Sequence, residues 1–216
     1  MKIKVNIPQS LDDVTLRDYK HFLKIQENNE DGRFVKAKML EIFCKIGLKE
    51  VYRMKYKDSE EVLSILEKTF NDKPSLVRKF KLGKTQYGFH PQLDDLTFGE
   101  YIDLDTYIGD WDNIEKAMNV LYRPIITSIG EKYAIDEYNT ENDKYLLDMP
   151  MSAVTSSIFF LMKLGADLSN HILKSLEKDN EEIYQQFLTL EKNGDGISQF
   201  GLYVDQTLQK LNISLN

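Results

Sequence analysis

Leu93-Asp94-Asp95-Leu96-Thr97-Phe98-Gly99-Glu100-Tyr101-Ile102-Asp103-Leu104-Asp105 decides the fold, read with the segments on either side of it. Before it stands Phe80-Lys81-Leu82-Gly83-Lys84-Thr85-Gln86-Tyr87-Gly88-Phe89-His90-Pro91, two short β segments about a turn at Gly83-Lys84. After it comes Ala117-Met118-Asn119-Val120-Leu121-Tyr122-Arg123-Pro124. Thr97 followed three residues later by Glu100 is a capping box, and Leu96 stands where a hydrophobic staple would. The spacing predicts a hairpin over Phe80–Leu82 and Gln86–Phe89, then a helix from Thr97 to Ile108 halted at Gly109. A second helix is predicted from Asn113 to Tyr122, ended by the restriction that Pro124 places on its neighbour.

Working outward, residues 2–7 alternate with Ile3, Val5 and Ile7 and predict a short N-terminal strand stopped by Pro8. Thr15 and Asp18 form a variant capping box for a helix carrying Leu16, Tyr19, Phe22 and Leu23 to about Asn28. Phe34 to Ile46 predicts a second helix with Gly47 as its stop. Leu48-Lys49-Glu50-Val51 reads as a helical turn before an extended Met54-Lys55-Tyr56, and Ser59 opens a third helix through Phe70. Tyr133-Ala134-Ile135 suggests a further strand, and Asp136 to Lys144 a surface loop. A helical run begins near Pro150, followed by helices around Ile183–Leu190 and Ser198–Leu211. The expected fold is therefore mainly α: a compact multi-helix domain over 1–216 with a small β-hairpin and a short N-terminal strand. A soft internal boundary falls near Pro74, after the three-helix part.

Composition narrows the function classes. With 42% hydrophobic and 29% charged residues, the 216-residue chain can bury roughly 70% of its unfolded surface and needs no staple. Cys44 is the single cysteine, which rules out an intrachain disulfide and fits a reducing compartment. A net charge of −7 argues against general nucleic-acid binding, despite the basic strip Arg78-Lys79-Phe80-Lys81 with Lys84. The opening residues lack the apolar core of a secretory signal, and the most apolar stretch, Ser157 to Leu164, is too short for a membrane span. The expectation is a soluble protein, intracellular where it is made.

No polar constellation has catalytic or metal-site spacing. Glu191 to Gly196 starts like a calcium loop but lacks the bidentate Glu at its twelfth position, where Leu202 stands. His21, His90 and His171 share no motif, and the glycines form no phosphate-binding loop. Glu100, Asp103, Asp105, Asp110 and Asp112 make an acidic cluster, for which Arg123 is the natural partner through Glu100 or Asp103. Trp111, in a turn between helices, reads either as an interface anchor or as a core residue. No cofactor and no metal are expected.

The hairpin's Tyr87-Gly88-Phe89, the Leu93–Leu104 run and Ala117-Met118 through Arg123-Pro124 resemble a signature of small proteins encoded by tailed bacteriophages, including crAss-like phages. Met149-Pro150-Met151, Phe159-Phe160-Leu161-Met162-Lys163-Leu164-Gly165, Ile7-Pro8 and Thr15-Leu16 are similar to the same pattern. The resemblance implies a non-enzymatic virion-associated protein, made in the host bacterial cytoplasm. In that role it would be cargo of the head or tail, delivered to the host. Its implied partners are portal, tail or capsid components, with self-association left open and with neither nucleic acid nor membrane among them. The segment Ile46-Gly47-Leu48 to Lys57-Asp58 is also similar to tail-assembly chaperones, which implies an adaptor absent from the finished particle. A disulfide-free helical domain with local contacts suits passage through a portal, where a chain must unfold and refold.

Overall fold

Thr97 closes the predicted capping box in both directions. Its hydroxyl accepts the Glu100 amide at 3.3 Å, and the Glu100 carboxylate accepts the Thr97 amide at 2.7 Å. The resulting helix, α5 (Phe98–Tyr107), leads through a turn into α6 (Ile114–Leu121). In this computed structural model the backbone is described for residues 5–179 and the side chains for residues 5–166. The chain divides into two compact units, Met1–Ser156 and Ser157–Asn216, and Pro74 lies inside the first. The predicted helices around Ile183–Leu190 and Ser198–Leu211, and the Glu191–Gly196 segment, fall outside the described residues.

Among the described residues a 3-10 turn at Leu11–Asp13 and four α-helices precede the hairpin: α1 (Leu16–Glu27), α2 (Gly32–Cys44), α3 (Leu48–Val51) and α4 (Tyr56–Phe70). Thr15 caps α1 by accepting the Asp18 amide at 3.2 Å. Two boundaries differ from expectation. Lys45, not Gly47, takes the left-handed conformation (φ 54°) that ends α2, leaving Gly47 to start α3. The Lys45 ammonium reaches Asp18 at 2.5 Å, an attachment a glycine could not make. Helix α4 starts at Tyr56 and Met54 is held in a turn by its bond to the Val51 carbonyl, so of the stretch expected to be extended only Lys55 is. The Ser59 hydroxyl bonds back to the Tyr56 carbonyl within the first turn instead of capping it.

The hairpin is half of a sheet. Strands β1 (Lys79–Leu82), β2 (Thr85–Phe89), β3 (Tyr122–Ile129) and β4 (Lys132–Ile135) form an antiparallel sheet in that order. A mainly α fold with one small hairpin thus becomes, among the described residues, a helical body carrying a four-stranded antiparallel sheet. Gly83 (φ 57°) and Gly130 (φ 60°) make the two hairpin turns. The strand missed by the sequence reading, β3, begins where α6 stops: Tyr122 is already extended (φ −127°, ψ 120°). Pro124 is tolerated within it at the cost of one ladder bond. Its carbonyl accepts the Asp136 amide at 2.8 Å, so the missing N–H faces the end of β4.

The N-terminal strand is not formed at Val5–Ile7, which is irregular; residues 1–4 lie outside the described part. No ladder partner lies beside it among the described residues, and the Gln9 side-chain amide donates to the Ile7 carbonyl at 2.9 Å. The chain is instead pinned to the start of α7 (Met151–Asp179) further on: Leu16 N–H bonds Met149 O at 2.9 Å and Met151 N–H bonds Val14 O at 2.8 Å. The loop expected over Asp136 to Lys144 is partly regular, since Asn139 caps a 3-10 stretch over Thr140–Asp148. Gly165 lies within α7 without ending it. No helix among the described residues is long and apolar enough to cross a membrane.

Two aromatic clusters fill the first unit. Between helices, Trp111, Tyr19, Phe70, Phe43 and Phe22 follow one another at centroid distances of 5.4, 5.8, 4.7 and 5.3 Å. Against the sheet, fully buried Tyr122 meets Phe80 and Phe89 edge-on at 5.2 and 5.3 Å. Its hydroxyl is 2.8 Å from the Val77 carbonyl and 3.2 Å from that of Ala153 at the start of α7. Gly88 is required by close approach: a Cβ there would lie 2.4 Å from the Tyr133 ring, whose hydroxyl donates to Phe89 O at 2.6 Å.

Gly88→Ala should therefore destabilise the fold by about 1–3 kcal/mol. Gly99→Ala, where nothing lies within 4 Å of the added carbon, should stabilise it by up to about 1 kcal/mol. Urea unfolding of the two variants beside the parent checks both signs.

Candidate functional site: a buried ion pair between α5 and β3

The first turn of α5 and the start of β3 bring together the charged residues singled out in the sequence. Arg123 Nη1 lies 2.8 Å from Glu100 Oε1, with the two side chains 8% and 5% exposed. The other Glu100 oxygen is the capping oxygen that holds the Thr97 amide. One carboxylate thus joins a helix cap to a strand. Arg123 is placed by the ladder, opposite Gly88 of β2. Its Nε is buried and without a hydrogen-bond partner among the described residues, which adds a desolvation cost to the site.

His90 completes the cluster. It follows β2, its amide donates to Leu121 O at 2.7 Å, and its Nδ1 accepts the Gln92 amide at 3.3 Å. Burial, together with the Arg123 charge, holds its imidazole below its ordinary pKa, against the opposing pull of Glu100. For Glu100, burial alone would raise the carboxyl. The Thr97 hydrogen bonds and Arg123 outweigh it and leave the group below its ordinary range. The cluster at neutral pH is one anion, one cation and one neutral ring.

The remaining acids are used separately. Asp103 accepts the Tyr138 hydroxyl at 2.7 Å, so Arg123 pairs with Glu100 alone of the two expected partners. Burial, then the Asp103 hydrogen bond, pushes the Tyr138 hydroxyl well above its ordinary value. Asp110 accepts the Asp112 amide at 2.9 Å and the Asn113 side chain at 2.7 Å, which closes the turn that directs Trp111 inward. Trp111 is buried against Tyr19, so the core position is the one it occupies. Asp112 pairs with Lys24 at 3.3 Å, and Glu115 pairs with Lys20. Asp105 is exposed. No three His, Cys, Asp or Glu side chains among the described residues are grouped as a metal site. Cys44 is buried, and burial pushes its thiol up to about 11, far from a reactive thiolate.

Both Glu100 oxygens are engaged and its charge is matched, which suits holding two elements together better than accepting a proton from a substrate. His90 is the member that sequence reasoning missed. The signal existed in the β2–β3 register, which pairs Phe89 with Tyr122, but β3 itself was not foreseen. Compared with known proteins, the chain matches no family model, no curated protein and no solved structure.

Arg123→Ala leaves Glu100 buried without its partner and should cost about 3–5 kcal/mol in chemical unfolding. Acid should act in one direction on both titrating groups. Each has a folded pKa below its unfolded value, so its contribution is present above the unfolded value and is lost as pH falls through the folded one. The His90 contribution goes first, on acidification from its ordinary value of 6.5, and that of Glu100 from 4.5 downward. Thermal unfolding from pH 8 to 4 should show Tm falling below about 6.5 in the parent, and a smaller early fall in His90→Phe.

Proposed function

We propose that this chain is a non-enzymatic protein of a tailed-bacteriophage particle. It is virion-associated, is carried as cargo in the head or tail, and acts by contacts with portal, tail or capsid components. One observation carries the reading: the segment resembling the phage signature spends its buried charges on architecture and turns an apolar face outward. Glu100 and Arg123 neutralise each other inside the fold, whereas Phe98, Tyr101 and Ile102 on the same helix are exposed. Exposed aromatic and aliphatic side chains that cluster on one helix face mark protein contacts rather than chemistry. The lone Cys44 leaves no intrachain disulfide to open if the chain unfolds during delivery.

A second reading, a cytoplasmic tail-assembly chaperone, draws on the α3–α4 connection. Tyr52 and Tyr56 are exposed there, in the segment that is similar to such adaptors. The two readings part at the finished particle. Quantitative mass spectrometry of salt-washed particles from the phage carrying this gene should recover the chain at a fixed ratio to the portal protein. Abundance in infected cells with absence from particles would establish the chaperone reading instead.

A further inference from the structure

We infer that the outward face of α5 is a docking surface for a basic amphipathic helix of a partner protein. The inference rests on the protein-binding reading above and supplies its partner's chemistry. At 100° per residue Phe98, Tyr101, Ile102 and Asp105 fall on one side of α5, opposite the side carrying Glu100, Asp103 and Tyr107. Phe98 is 79% exposed, Tyr101 57% and Ile102 45%. Three large side chains at i, i+3 and i+4 are the pattern by which one helix receives another in its groove.

Charge selects the occupant. Residues 91–115 hold eight acidic side chains and no lysine or arginine. Three of the eight are matched by cations, Glu100 by Arg123, Glu115 by Lys20 and Asp112 by Lys24. Asp94 and Asp95, in the 3-10 turn leading into α5, and Asp105 on the face itself are exposed and have no ion pair among the described residues. The apolar face is therefore bounded at its N-terminal end and closed one turn beyond Ile102 by unmatched negative charge. A helix with Leu-type side chains on its contact face and Lys or Arg along its edges meets both features. A second copy of this chain does not, because face-to-face pairing of α5 would set Asp94, Asp95 and Asp105 against their own kind in a chain of net charge −7. Nucleic acid is repelled on the same ground.

The purified chain and two synthetic peptides test this without a phage. One peptide is a Leu-faced helix edged with Lys, and the other is the same helix edged with Glu. Fluorescence anisotropy should show the Lys-edged peptide binding at least about tenfold tighter, with affinity falling as salt rises. Phe98→Ser with Ile102→Ser should weaken it by about tenfold or more, while Ile126→Ser with Ile129→Ser, exposed on β3, leaves it unchanged. The triple exchange Asp94→Lys, Asp95→Lys and Asp105→Lys should reverse the preference to the Glu-edged peptide. Equal affinity for the two peptides, binding indifferent to the α5 substitutions, or a Phe98-dependent dimer in sedimentation would overturn the inference. Absence of the chain from particles would defeat the virion role while leaving this surface standing.

Discussion

A guanidinium and a carboxylate that have both left water are held together less by their attraction than by the cost of parting them. The Arg123–Glu100 pair puts that constraint at the point where α5 meets β3. Glu100 cannot leave without uncapping α5 at Thr97, and Arg123 cannot leave without disturbing the central ladder opposite Gly88. Helix cap, ion pair and strand register are therefore mutually dependent. The neutral His90, tied to Leu121 at the end of α6, adds a third element to the same junction.

The aromatic clusters extend this junction in two directions. Tyr122, one residue before Arg123, anchors the sheet to the start of α7 through its hydroxyl and to β1 and β2 through its ring. Trp111, in the turn that separates α5 from α6, reaches the helical cluster through Tyr19. The short segment from Leu93 to Pro124 thus contacts both halves of the first unit's core. On its outward side Phe98, Tyr101 and Ile102 stay exposed.

Features whose cause is local were legible in the sequence. Thr97 and Glu100 stand at capping-box spacing, Gly83 can take positive φ, and Arg123 is an obvious partner for an acid nearby. Features settled by distant contacts were not. Strand β3 was hidden because Tyr122 continues the apolar rhythm of α6 and Pro124 discourages a strand, yet pairing with β2 outweighs both. Lys45 ends α2 against its own backbone preference while its ammonium meets Asp18, and nothing near Gly47 advertises that. His90 enters the charged cluster only through the register of two strands. The choice of Glu100 over Asp103 depends on Tyr138, thirty-five residues from Asp103 in the chain, taking Asp103 for itself.

The buried charges of Glu100 and Arg123 act on each other and hold the fold. A double-mutant cycle between Glu100→Gln, which retains an acceptor for the Thr97 amide, and Arg123→Met measures that directly by urea unfolding. Strong non-additivity is expected, with a coupling of about 1.5 kcal/mol or more. Effects that add to within about 0.5 kcal/mol would contradict it, because the two groups would then be stabilised independently of each other.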